Sequence, residues 1–388
     1  MPDGREPTTI KVLSALGDIP AADWDACAGP DNPFVSHGFL SALEDSGSAS
    51  NESGWMPQHL VALDDAGHAS AAMPLYLKSH SYGEYVFDWG WADAYERAGG
   101  QYYPKLISAV PFTPATGRRL LVHPDAPEAM TAVLIAGMLQ LAERLNVSSA
   151  HVNFLSEAEW RRCGENGLLL RQGRQFHWEN RGYEAFDDFL GALSSRKRKA
   201  IRKERRGVGE QDVKISTLVG GDITEAHWDA FYAFYRDTTS RKWGHRYLTR
   251  AFFSLLHERL PERVVLIMAE ADGRFVGGAL NLRGHDTLYG RYWGCVEDYR
   301  FLHFEACYYR AIDYAIEHKL AWVEAGAQGP HKIQRGYLPR ATYSAHWIKE
   351  PNFRTAVRRF LDAERAEIEE EMEILFEQSP YRRADGQG

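Results

Sequence analysis

A chain of 388 residues, 44% hydrophobic and 12% aromatic, exceeds what one core usually fills and carries enough apolar surface for two ordinary domains. Its net charge of −8 excludes a surface that tracks nucleic acid throughout and confines any such contact to a local basic patch. The polar start, Met1 to Glu6, does not read as a secretory signal, and apolar stretches such as Ala132 to Ala142 fall short of the ~18 residues of a membrane span. A cytoplasmic protein is expected, with at most peripheral contact with anionic lipids of the inner membrane. Cys27, Cys163, Cys295 and Cys307 show no metal-ligand spacing, so they read as packing thiols and no metal is expected.

In chain order, Ala22-Asp23-Trp24-Asp25-Ala26 and Phe39-Leu40-Ser41-Ala42-Leu43 predict a first helical layer. Leu60 to Ala62, followed by Asp65-Ala66-Gly67, predicts a β-hairpin. A third strand is expected to end in Asp88-Trp89-Gly90-Trp91. After a segment around Pro111 to Val122, a helix from Glu128 to Leu145 feeds a strand from Ser149 to Phe154. The second half repeats this order: Ala226-His227-Trp228-Asp229-Ala230, Phe252-Phe253-Ser254-Leu255-Leu256, a hairpin turning at Asp272-Gly273, and a strand ending in Arg291-Tyr292-Trp293-Gly294. Phe304, Cys307, Tyr308, Ala311, Ile312, Ala315 and Ile316 then paint one apolar stripe on a helix that feeds Trp322 to Ala327. A strand near Thr342 to Ile348 and an amphipathic helix from Asn352 to Phe376 close the chain. The plan is α+β with mixed sheets covered by helices. It divides into a first domain at 1–186, a basic connector helix at 187–212, a second domain at 213–350 and a C-terminal helix and tail at 351–388.

Two stretches carry a family likeness. Ser194-Ser195-Arg196-Lys197-Arg198-Lys199-Ala200-Ile201-Arg202-Lys203 resembles the connector helix of the FemAB-type branch of the GNAT acyltransferase superfamily. Glu324-Ala325-Gly326-Ala327-Gln328-Gly329-Pro330-His331-Lys332 resembles a stretch of proteobacterial members labelled as peptidoglycan-related N-acyltransferases. The pattern is also similar to bacterial ceramide synthases, which acylate the amine of a sphingoid base. The resemblance implies tandem duplicated GNAT-like domains and N-acyl transfer; the second domain is expected to be catalytic because Glu324 and His331 lie there. FemAB enzymes that use aminoacyl-tRNA carry a long helical arm, whereas here barely a loop separates Arg206 from Val213. The acetyl-CoA enzymes place a glycine-rich cradle where this chain reads Asp298-Tyr299-Arg300-Phe301-Leu302-His303. With tRNA disfavoured, the expected co-substrate is a long-chain acyl-CoA or an acyl carrier protein thioester, with no bound cofactor and a lipid amine as acceptor.

N-acyl transfer needs a base for the amine and donors for the oxyanion. Glu324, a carboxylate at an apolar strand end, is the first candidate base; a buried ion pair with an arginine such as Arg291 is the plain alternative. His331 and Lys332 follow in a Gly-Pro loop, His331 as a proton shuttle and Lys332 as an anion holder, against the ordinary case of two solvated loop residues. Gln328 would contact an acyl carbonyl or brace the turn. His303 and Glu305 bracket a helix start that favours an anion, where Glu305 would otherwise only complement the helix dipole. Arg291 and Trp293 in the second half, and Asp88 and Trp89 in the first, are candidate substrate contacts. Arg196, Lys197, Arg198, Lys199, Arg202 and Lys203 are candidate phosphate or CoA ligands, capped by Ser194 or Ser195, although a charge run is often only a solvated face. Arg241-Lys242-Trp243-Gly244-His245 reads either as a lid over a cleft between the domains or, as the more ordinary case, as a plain surface loop. The competing readings are an aminoacyl-tRNA-dependent ligase acting on a cell-wall precursor and a non-catalytic protein that binds a lipid or cell-wall fragment.

Overall fold

The computed structural model describes residues 9–242, 246–327 and 329–382, so Gln328 and the Trp243-Gly244-His245 part of the expected loop lie outside the described residues, as do the side chains of Arg241 and Lys242. The chain forms two compact units, and they are not consecutive segments. One holds the residues up to Gly173 together with Thr342–Glu367, and the other holds Arg174–Ala341 and the residues from Ile368 on. The first boundary therefore falls inside the strand Leu169–Glu179, the connector belongs wholly to the second unit, and the chain returns to the first within the strand Leu338–Ile348.

Each unit is built on one parallel strand pair joined by a helix. In the first, Lys105–Ser108 pairs in parallel with Ser149–Leu155, and Met130–Arg144 connects them. In the second, Thr287–Cys295 pairs in parallel with Trp322–Glu324, joined by the helical run from Leu302 to Glu317. The flanking strands are antiparallel, including the hairpins His59–Leu63 with Ala69–Met73 and Val264–Ala271 with Arg274–Arg283. The hairpins differ in placement. The first belongs to a separate four-stranded sheet, edged by Ile10–Leu13 and by Leu121–Val122 from the segment without a counterpart; the second lies in the main sheet of its unit. The helix pairs Ala21–Ala28 with His37–Asp45, and Glu225–Lys242 with Arg250–Arg259, follow the repeat.

Three local expectations are corrected. Trp89 to Arg97 is a helix rather than a strand end: Asp88 is fixed at its entrance by Lys105, and Ala92, Ala94 and Glu96 suit a helix. Trp293-Gly294 does lie in a third strand, because a Cβ at Gly294 would collide with the backbone of Phe234 on the covering helix. The basic connector breaks into Phe186–Ala192 and Ser195–Gly209, and Ser194 precedes the second helix without a capping bond from its side chain. Leu302 to Glu317 keeps its apolar face buried but winds as a π-turn from Glu305 to Tyr309. That face packs with Leu288, Val323, Phe176 and Trp178 in the second unit's core, while Met130–Arg144 packs on Leu106, Ala150 and Val152 in the first.

Candidate active site

Strand geometry sets the site in the second unit. Phe176, Trp178 and Val323 face the apolar core, so by the two-residue alternation their neighbours His177, Trp322 and Glu324 face the other way. Glu324 ends its strand, opposite His177 on one side and Tyr289 on the other, and is 1% exposed. One carboxylate oxygen lies 3.6 Å from the Arg291 guanidinium and the other 3.6 Å from Nε2 of His177. Burial, then the cations Arg340, Arg291 and Lys332, pull the His177 pKa down to about 3, so the imidazole is neutral.

Because parallel pairing stops at Tyr289 and Glu324, the strand continues to Cys295 without that partner. Beside the open edge lies a cavity of about 440 Å³, lined by Arg291, Trp293, His303, Tyr308, His331 and Lys332 among others. A register shift between Leu280 and Asn281 sets Asn281 opposite Gly290 on its wall. Tyr308 and Nε2 of His331 are 3.0 Å apart. Burial holds the phenol well above its ordinary pKa, while burial, Arg335 and Lys332 lower that of His331. A protonated phenol and a neutral imidazole thus share this hydrogen bond. Gly329 has a φ of 100°, and a Cβ there would overlap the His331 ring, so the glycine is what lets the loop close over the histidine.

His331, His303, Arg291, Trp293 and Lys332 thus line one cavity, and Glu324 adjoins it through Arg291. Lys332 has a different part from the one expected: its ammonium donates to the carbonyls of Ala325 and Gly326, bracing the turn after Glu324 instead of reaching for an anion. Glu305 does not join the site. Both of its oxygens are taken, by Arg205 and by Arg310, in a buried cluster behind the helix. Asp88 and Trp89 belong to the other unit. There Lys105, fully buried, donates to Ser81, Glu84 and Asp88, and Tyr102 donates to Asp88 at 2.7 Å. Burial alone would raise both carboxyl groups. Lys105 and His151 hold Asp88 well below its ordinary range, while Glu84 stays up at about 7. Trp89 is exposed, its ring against Tyr82.

The helix Ser195–Gly209 has two faces. On the inner one, Glu204 accepts from Arg335 and Tyr309, and Arg205 pairs with Glu305 and Asp313. Arg196, Lys199, Arg202, Lys203 and Arg206 are exposed, and Lys197 and Arg198 are half-buried. At the helix entrance where a phosphate cradle was not found, the Arg300 N–H donates to Oε1 of Gln211 at 3.0 Å, and Nε2 of Gln211 donates back to the Arg300 carbonyl at 3.0 Å. Among the described residues no cluster of three or more potential metal ligands occurs, and no helix is long and apolar enough to cross a membrane. His177, Tyr308 and Gln211 were missed from the sequence. For His177 a signal existed, a polar residue alternating with Phe176 and Trp178.

Residues 15–383 match the FemAB-like family model, described as peptidoglycan biosynthesis or recognition. No curated protein matches the chain. Among solved structures, FemX is similar at 11% identity and a TM-score of 0.55, covering 88% of this chain and 98% of its own. The C-terminal domain of a putative lysylphosphatidylglycerol synthetase from Agrobacterium fabrum is similar at 10% identity and a TM-score of 0.53, over 87% of this chain and 95% of that one. The L-PGS of Bacillus licheniformis follows at 9% identity and 0.52, over 86% and 98%. At these identities the likeness is one of fold.

Proposed function

Since the chain belongs to the FemAB-like family, with tandem GNAT-like units, we propose that it is an N-acyltransferase whose reaction centre is the cavity beside Glu324 in the second unit. The observation that carries this reading is one carboxylate, 1% exposed, at the end of a parallel strand pair that opens into a cavity. A charge buried this deeply is costly unless it is compensated or has work to do. In this reading Glu324 takes the proton from the attacking amine. The new C–N bond forms as the C–S bond of the thioester breaks, and the proton ends on the departing sulfur, relayed by His331, which regenerates the carboxylate. The strand edge beyond Tyr289 offers backbone N–H groups to the oxyanion. Trp293 and Tyr308 flank the acyl chain.

The donor is an acyl thioester, of CoA or of a carrier protein, whose anionic part meets Arg196, Lys197, Arg198, Lys199, Arg202 and Lys203. The acceptor is an amphiphilic amine, with a sphingoid base as the first to try. The place of reaction is the cytoplasm, against the inner membrane. Lipid mass spectrometry of a deletion strain and its parent tests this: loss of an N-acylated lipid with build-up of free long-chain amine is expected. Unchanged lipids with altered muropeptides would replace it by aminoacyl transfer to a cell-wall precursor.

A further inference from the structure

The cations of the helix Ser195–Gly209 do two jobs that residue spacing keeps apart. Arg205 is neutralised by Glu305 and Asp313, and Glu204 turns inward to Arg335 and Tyr309. On the outer side Arg196, Lys199, Lys203 and Arg206 follow one another at steps of three, four and three residues, the spacing of a single helix face. All four are exposed, and none has an ion-pair or hydrogen-bond partner among the described residues. Arg202, beside them, is paired with Asp187. Ten residue-to-residue steps of helix make the stripe about 15 Å long. Four uncompensated like charges along that length repel one another, so they favour an extended anionic partner over a point anion.

Next to the stripe runs an open groove of about 880 Å³, walled by Lys199, Arg202, Lys203 and Arg206, with Phe186 and Leu190 as its apolar floor. A site built only for phosphate needs no such floor. The wall also holds Asp187, paired with Arg202, so the rim is net cationic, and an apolar patch with such a rim suits a protein surface that presents an apolar side chain among carboxylates. The entrance at Arg300, where a helix start would otherwise offer its N–H to a pyrophosphate, is filled by the Gln211 side chain. The stripe also stands close to the chemistry. Arg335 donates to Glu204 on the helix's inner face at 2.8 Å and to the carbonyl of His331 at 2.9 Å, so the helix is braced directly against the loop of the candidate site.

We infer that this stripe and groove dock an acidic carrier protein bearing the acyl thioester, which presents its acyl arm to the cavity beside His331. The inference deepens the transferase reading and rests on it for the identity of the cargo, but docking is measurable without turnover.

The test is fluorescence anisotropy of a labelled acyl carrier protein titrated with the full chain at 50 and 200 mM salt, beside the variant R196E/K199E/K203E/R206E. Because none of the four side chains has a partner among the described residues, the variant is expected to keep the fold, and circular dichroism checks this. Binding that weakens with salt and falls at least about tenfold in the variant is the expected result. Equal binding by both proteins overturns the inference. So does an absence of carrier binding, whether or not tRNA, anionic vesicles or a second copy of the chain binds the stripe instead. Transfer from acyl-pantetheine, which has neither phosphates nor a protein surface, reads the cavity alone. If carrier binding behaves as expected while no thioester supports transfer, the docking surface stands and the transferase reading falls.

Discussion

Replacing Lys332 by Met probes the brace behind Glu324. Lys332 is 6% exposed, and its ammonium donates to the Ala325 and Gly326 carbonyls. Burial, with Arg291 adding to it and Cys307 opposing it, pulls its pKa from 10.5 down to about 8. A depressed pKa means that between pH 8 and 10.5 the unfolded chain holds a proton the folded one has released. Stability therefore climbs with pH across that window and is lost as pH falls through it, by about 1.4 kcal/mol per pH unit. The Met variant has no such titration. Urea titrations at pH 8.5 and 10 should show wild type gaining about 2 kcal/mol over the variant across that interval. At the lower end the variant also leaves two carbonyls without their donor, at about 1–3 kcal/mol. Parallel pH curves for the two proteins would refute the buried, depressed lysine and with it the brace.

Gly329→Ala should cut turnover at least about tenfold with little loss of melting temperature, because the added Cβ displaces His331 while the cores stay intact; unchanged kcat would separate His331 from the reaction. Lys105→Met in the first unit leaves Asp88 and Glu84 buried without their cation and should cost about 3–5 kcal/mol in thermal unfolding, whereas a variant as stable as wild type would mean the cluster holds no charge. Since burial and two neighbouring cations lower the His331 pKa from 6.5, any acid limb of kcat/KM that depends on it should lie below pH 6.5 and move in Tyr308→Phe. A limb that ignores both residues removes them from the proton path.

Much of the architecture was written in local pattern. The repeated helix pairs, the hairpin turns and the stripe from Phe304 to Ile316 each depend on periodicity within a few residues, and each is found in the folded chain. The position of Glu324 at the end of a core strand followed from the same reading. What escaped depends on partners far along the chain. Asp88-Trp89-Gly90-Trp91 reads as a strand end until Lys105, 17 residues on, fixes Asp88 at a helix entrance. Lys332 and Glu305 look like site residues in isolation, yet their charges are consumed by the Ala325 and Gly326 carbonyls and by Arg205 and Arg310. His177 became relevant only when antiparallel register set it opposite Glu324. The return of Thr342–Glu367 to the first unit likewise has no local mark in the residues around Ala341.

The most direct measurement compares wild type with Glu324→Gln, and with Glu324→Asp as the conservative control, in single-turnover N-acylation of a long-chain amine from an acyl thioester, the amide read by mass spectrometry. Melting temperatures are recorded alongside, since Arg291 loses its carboxylate in the Gln variant. Amide formation by wild type, a rate about 10²–10⁴-fold lower in Glu324→Gln, and partial recovery in Glu324→Asp are expected. Equal rates in a folded Glu324→Gln protein would contradict the role of Glu324 as the base.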